Sequence, residues 1–218
     1  DNWSISDSVG TNRLLRVRFL DQNTGIVFGS LSDAFRTTDG GNTWLQMNGI
    51  PSDKTSMNFA GTNTLYMCTS SGTQKVLKSS DLGNTWTEIY STTGTAFNNI
   101  KFNDQLTGFI TGRGIFKSID GGLSWSQKMQ GTLPYMYDIK FVNGNTAFAS
   151  AESGRMFKST DAGETWGELF SITDNTINGF HFFNANTGFV VGDQGMILKT
   201  TNSGGGFVSV ENTFSIAE

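Results

Sequence analysis

The stretch Ser159-Thr160-Asp161-Ala162-Gly163-Glu164-Thr165-Trp166 decides the fold, because its pattern of hydroxyl, acid, glycine, hydroxyl and tryptophan returns along the whole chain. Each residue type has a reason to be there. An Asp after a short apolar run accepts N–H bonds from the next residues, Gly takes the left-handed backbone conformation, and Thr or Ser closes the turn before a large aromatic packs inward. The stretch is therefore the tip of a hairpin. Copies run from Thr37 to Trp44, Ser79 to Trp86, Ser118 to Trp125 and Ser159 to Trp166, with a worn copy from Thr200 to Phe207 that has Asn202 in place of the acid. Asp39, Asp81, Asp120, Asp161 and Asn202 are spaced at 42, 39, 41 and 41 residues.

Working outward, five units align on a phenylalanine: Val17-Arg18-Phe19, Met57-Asn58-Phe59, Ile100-Lys101-Phe102, Ile139-Lys140-Phe141 and Phe180-His181-Phe182. Alternation of apolar and polar residues is the period of a strand. A turn and a second apolar run come next, as in Asn23-Thr24-Gly25-Ile26-Val27-Phe28 and Asn186-Thr187-Gly188-Phe189-Val190. A third run enters every box, as in Ile115-Phe116-Lys117, and a fourth leaves from the aromatic. Four short strands in about 40 residues is the period of a propeller blade, which cannot bury both faces alone and so stacks on neighbours. The expected fold is an all-β propeller of five four-stranded blades, or an incomplete part of a larger propeller. An open solenoid of the same units is the structural rival.

This places one domain over residues 1–218, with repeats at about 14–53, 54–96, 97–135, 136–176 and 177–211 and a spare outer strand in residues 1–8. Trp3-Ser4-Ile5-Ser6 resembles the strand that leaves each box, so it is a candidate to complete the fifth blade. Phe207-Val208-Ser209-Val210 competes for that place.

Composition excludes several functions. Gly 27 against Pro 2, with 12% aromatic and 16% charged residues, suits short strands and tight turns rather than long helices or disorder. A net charge of -4 with no Lys/Arg run gives no footprint for nucleic acid. No apolar run approaches the ~18 residues of a membrane span, and the first residues lack the form of a signal peptide, so membrane insertion is not expected and a mature or excised segment is. Cys68 and His181 each stand alone, which excludes an intrachain disulfide and a cysteine zinc site. One acid per turn does not make a calcium loop, so no metal and no cofactor are expected. Low charge and abundant Ser, Thr, Asn and Gly suggest a secreted, periplasmic or cell-surface bacterial protein.

The recurring turn is the Asp-box, and the chain resembles the Asp-box (BNR-type) propellers, which include sialidases, xyloglucan-cleaving glycosidases and photosystem II assembly factor-like proteins. The segment from Gly188 to Thr201 resembles the last group, with weaker versions at Gly112-Arg113-Gly114-Ile115-Phe116-Lys117 and Gly154-Arg155-Met156-Phe157-Lys158. The resemblance implies a propeller; those relatives generally have seven blades, and this chain codes for five. It implies no partner-binding residue directly, because no matching arginine cluster is present.

The box residues Asp39, Trp44, Asp81, Trp86, Asp120, Trp125, Asp161, Trp166, Asn202 and Phe207 read as structural. The cations before them, Arg36, Lys78, Lys117, Lys158 and Lys199, are expected to cover the hairpin with their stems and to set their heads over the box aromatic. For binding, loops between second and third strands vary most on a rigid scaffold. Arg113, Tyr135, Tyr137 and Arg155 are the candidates there, and the column Arg18, Asn58, Lys101, Lys140 and His181 is expected to border a central channel. The resemblance to glycosidases makes Tyr135, Tyr137, Asp138, Glu152, Arg113 and Arg155 the candidate catalytic group, although the Arg-Ile-Pro segment of sialidases is absent. The expected function is non-catalytic binding or scaffolding of a protein or glycan through the loop rim; the alternative is a sialidase-like glycoside hydrolase.

Overall fold

The structure, a computed structural model, describes residues 9–10, 12–129, 134–169, 175–204 and 208–209. It is an all-β propeller fold of five blades, each a four-stranded antiparallel sheet with strands in chain order. The spare strand Trp3 to Ser6, Phe207 and Val210 lie outside the described residues.

Two compact units divide the chain, Asp1–Ser126 and Gln127–Glu218. The first carries blade 1 (Leu14–Phe19, Gly25–Gly29, Ala34–Thr37, Leu45–Gln46), blade 2 (Lys54–Phe59, Leu65–Thr69, Gln74–Ser79, Thr87–Thr92) and blade 3 (Phe97–Phe102, Gly108–Gly112, Gly114–Ser118, Ser126–Gln127), whose last strand straddles the division. The second carries blade 4 (Met136–Phe141, Ala147–Ala151, Met156–Ser159, Gly167–Leu169) and blade 5 (Ile177–Phe182, Gly188–Gly192, Ile197–Thr200, Val208–Ser209).

Within each unit the core lies between blades, where alternate residues of facing sheets meet. In the first unit Ile26, Phe28 and Ala34 of blade 1 pack on Met57, Leu65 and Met67 of blade 2, and Tyr66, Cys68 and Val76 pack on Phe97, Ile100 and Ile110 of blade 3. In the second, Phe148 and Met156 meet Phe180, Phe182 and Val190. The column phenylalanine carries this packing: Tyr66 stacks on Phe102 at 3.7 Å and Phe148 on Phe182 at 3.5 Å between ring centroids.

Glycine is required where the chain enters blade 3. Gly112 ends a second strand so close to the incoming backbone that a Cβ there would lie 1.6 Å from the Ala96 carbonyl oxygen. That approach lets the Arg113 N–H donate to Ala96 O at 3.1 Å.

Candidate functional site

The box turns are closed on themselves. Asp39 Oδ1 accepts the Thr43 N–H (2.9 Å) and the Thr37 hydroxyl (2.8 Å), and its Oδ2 accepts the Thr43 hydroxyl at 2.7 Å. Asp81, Asp120 and Asp161 repeat this arrangement with Thr85, Ser124 and Thr165. These bonds, led by the one from the hydroxyl four residues on, hold all four carboxyls at about 2, below their ordinary 3.8. The entering hydroxyl also accepts the glycine N–H four residues on, at 2.8–2.9 Å in every box. Those glycines sit at φ +81° to +89°, where a side chain would be strained. Asn202 keeps the design, since its side-chain oxygen accepts the Thr200 hydroxyl at 3.0 Å. Trp125 and Trp166 donate their indole N–H to Gly122 O and Gly163 O, Trp86 packs into the blade 1–blade 2 core, and Trp44 meets Phe19 edge-on. All four are half-buried.

The turns between first and second strands share this rim, and in four of them an Asp or Asn side chain that the sequence reading did not name closes the turn. Asp21, Asp104, Asn143 and Asn184 each use Oδ1 to accept the N–H groups two and three residues on, at 2.7–2.9 Å. The signal was an Asp or Asn three residues before the Thr of each Asn-Thr-Gly-type turn; blade 2 has Gly61 there, at φ +89°. A box N–H then donates to a carbonyl of this turn in every blade, as Gly40 to Asn23 and Ser203 to Asn186.

The cations before the boxes correct one expectation. Lys78, Lys117, Lys158 and Lys199 sit over Tyr66, Phe109, Phe148 and Phe189 at 5.4–5.8 Å, which are second-strand rings rather than box aromatics. The reason is register: each lysine pairs directly across the ladder with that residue, whereas the box aromatic lies beyond the turn. Arg36 pairs with Ile26 instead and donates to the Leu82 and Asp81 carbonyls of the next blade's box.

The column Arg18, Asn58, Lys101, Lys140 and His181 is one register position in five first strands, each paired with Ile26, Tyr66, Phe109, Phe148 or Phe189. These side chains thus share the sheet face of the second-strand ring. Arg18 donates to Val17 O at 2.9 Å. Lys140 donates to Phe180 O of blade 5 at 2.6 Å, lies over the Phe180 ring at 4.9 Å and faces Asp138 at 3.9 Å. His181 meets Phe183 edge-on.

The opposite end of blade 4 gathers most of the loop-rim candidates. Glu152 N–H donates to Tyr135 O at 2.9 Å, tying the loop between second and third strands to the blade entry. Tyr135 and Tyr137 form an edge-on pair with centroids 5.7 Å apart and planes at 60°. Both rings are half-buried, and Glu152 is exposed. Arg155 is held by Glu168 through two bonds of 2.6 and 2.7 Å and lies over Phe157 at 5.1 Å; the pair raises the guanidinium and lowers the carboxyl. Asp138 accepts the Ile139 N–H at 2.9 Å and carries the Lys140 contact. Arg113, exposed at the corresponding turn of blade 3, belongs to the first unit. Burial pushes the Cys68 thiol up to about 12, so it has no thiolate to offer chemistry. No metal-binding group of acids, His and Cys exists among the described residues.

The model of the photosynthesis system II assembly factor YCF48 family matches residues 124–201, less than half of the chain. No curated protein sequence matches significantly. Among solved structures, YCF48 bound to D1 peptide aligns with 95% of this chain and 84% of its own at 17% identity, TM-score 0.52. YCF48 from Cyanidioschyzon merolae aligns over 88% and 70% at 19% identity, TM-score 0.67. The GH74 enzyme of Niastella koreensis aligns over 85% at 18% identity, TM-score 0.68, but this chain spans only 35% of that enzyme. At such identities the likeness is one of fold.

Proposed function

We propose that this chain, a BNR-type β-propeller, is a non-catalytic protein-binding module that takes a peptide segment on the loop rim of blade 4. The observation that carries the reading is the Tyr135–Tyr137 pair beside Glu152. Half-buried tyrosines offer area, rigidity and a hydroxyl at low entropic cost, the properties of an interface anchor. The box rim is committed to its own backbone, so variation is left to the other end. Two comparisons support it: the YCF48 family model spans this blade, and one solved YCF48 holds a D1 peptide. Arg113 is proposed separately, as an exposed cation on the loop rim of blade 3. A secreted or cell-envelope bacterial location belongs to the same proposal, and fractionation of the source cells tests it.

A second reading, glycoside hydrolysis or glycan binding, draws on the GH74 neighbour and on Asp138 and Glu152 near the tyrosines. It is weaker because Asp138 faces Lys140 and Arg155 is held by Glu168, so the reading rests on Glu152 as its acid. Fluorescence anisotropy with a labelled D1 peptide and a scrambled control separates the readings. Specific binding that falls about tenfold or more on Tyr135→Ala or Tyr137→Ala, a hot-spot loss, is the expected result. Absence of peptide binding together with hydrolysis of xyloglucan or a fluorogenic glycoside, lost in Glu152→Gln, would replace the first reading by the second.

A further inference from the structure

Three Asn-Gly pairs stand in the chain: Asn48-Gly49, Asn143-Gly144 and Asn178-Gly179. In such a pair the glycine nitrogen, which no neighbouring side chain shields, can attack the Asn side-chain carbonyl carbon once that side chain turns toward it. The fold treats the three pairs differently. Asn143 uses its Oδ1 to accept the N–H groups of Asn145 and Thr146 at 2.9 and 2.7 Å, which holds it in its turn. Asn178 lies in the first strand of blade 5 and donates its amide N–H to Asp193 Oδ1 at 2.7 Å. Asn48 has neither restraint. It is exposed, stands outside every strand, and its side chain has no hydrogen-bond partner among the described residues. Gly49 is exposed as well, at φ +70°, and a Cβ placed on it would meet nothing nearer than Trp86 Cδ1 at 4.0 Å.

The pair also sits between two anchors of the first unit. Met47 and Ile50 on either side of it are buried in the core between blades 1 and 2, and the Met47 N–H donates to Ala34 O at 2.9 Å. The exposed link is therefore held at both ends while its own side chain is left to move.

We propose that Asn48 is a site of spontaneous deamidation that ages the junction of blades 1 and 2. The Gly49 nitrogen loses its proton to solvent base and bonds to Asn48 Cγ, the Cγ–Nδ2 bond breaks, and ammonia leaves with a proton from solvent, closing a succinimide. Water then opens the ring at the side-chain carbonyl to give aspartate, or at the main-chain carbonyl to give isoaspartate. The net change consumes water and releases ammonia. Both products carry a carboxylate where the chain had a neutral amide. Isoaspartate also adds a methylene to the main chain between Met47 and Ile50, which disturbs the seating of both in the core.

Peptide mapping by mass spectrometry tests this on the full chain, incubated folded at physiological temperature and mildly alkaline pH. The mass gain of amide to acid, with separate aspartate and isoaspartate peptides, is expected at Asn48 about tenfold or more faster than at Asn143 or Asn178, because a hydrogen bond that must break before cyclisation slows the step by about that factor. In chain held unfolded in urea the three pairs should lose this order. The urea midpoint of the wild type should fall as Asn48 converts, whereas Asn48→Gln, which closes a larger ring slowly, should keep its midpoint through the same incubation. An Asn48 that stays intact, conversion first at Asn143 or Asn178, or the same order of rates in the unfolded chain would overturn the proposal. A midpoint that holds steady after Asn48 has converted would overturn the effect on the junction.

Discussion

Replacing Ser118 by alanine is expected to destabilise the protein more than replacing Asp120, for which the motif is named, by asparagine. The Ser118 hydroxyl is buried, accepts the Gly122 N–H at 2.9 Å and the Asp120 N–H at 3.4 Å, and donates to Asp120 Oδ1 at 2.7 Å. Alanine leaves the buried Gly122 amide without an acceptor, and an orphaned buried donor costs about 1–3 kcal/mol. For a chain of this size a loss near 2 kcal/mol lowers Tm by about 4–8 °C. Asparagine at position 120 keeps an oxygen for the Ser118 hydroxyl and the Ser124 N–H, and water reaches what it gives up. The fifth box already runs this way: Thr200 bonds Gly204 at 2.9 Å while Asn202 stands in for the acid. Calorimetry of the two variants, with amide exchange at Gly122, checks the order. If Asp120→Asn lowers Tm as much as Ser118→Ala, or if Gly122 exchange is unchanged in Ser118→Ala, the reasoning fails.

The same geometry sets other outcomes. Phe182→Ala removes the ring stacked on Phe148 and should cost about 3–5 kcal/mol, read from urea midpoints. Gly112→Ala should cost about 3 kcal/mol or fail to fold, because its Cβ meets a backbone carbonyl that cannot swing aside. Ala162→Gly should instead raise stability slightly, by a few tenths to about 1 kcal/mol, since Ala162 sits at φ +60° where boxes 1 and 3 have Gly40 and Gly121. Acid should weaken the fold: the box carboxyls stand at about 2 against 3.8, so their contribution is fully present above about pH 4 and lost as pH falls through 2. Equal urea midpoints at pH 4 and pH 2 would contradict that.

Much of the fold was legible because every blade repeats its solution. The Asp-to-Asp spacing, the Val17-Arg18-Phe19 type column and the strand into each box identify four strands per unit, and the sheets have that order. The Asx turns at Asp21, Asp104, Asn143 and Asn184 were legible as well, but the more conspicuous Asn-Thr-Gly beside them masks the signal. Lysine placement was not, because spacing along the chain gives distance to the box aromatic, while the ladder register decides which ring lies under the ammonium. Arg36 reaches the next blade and Arg155 pairs with Glu168 across a strand pair; both are tertiary choices that no local pattern carries. Of the candidate site, the sequence shows variable loops and tyrosines but not that Tyr135 and Tyr137 meet edge-on beside Glu152.

Hydrogen–deuterium exchange of the full chain with and without a D1 peptide tests the functional claim most directly. Protection is expected over residues 134–137 and 152–155, with the box turns unchanged. Protection confined to the box rim, around Asn42 and Asn84, would place the partner on the opposite face and contradict the account.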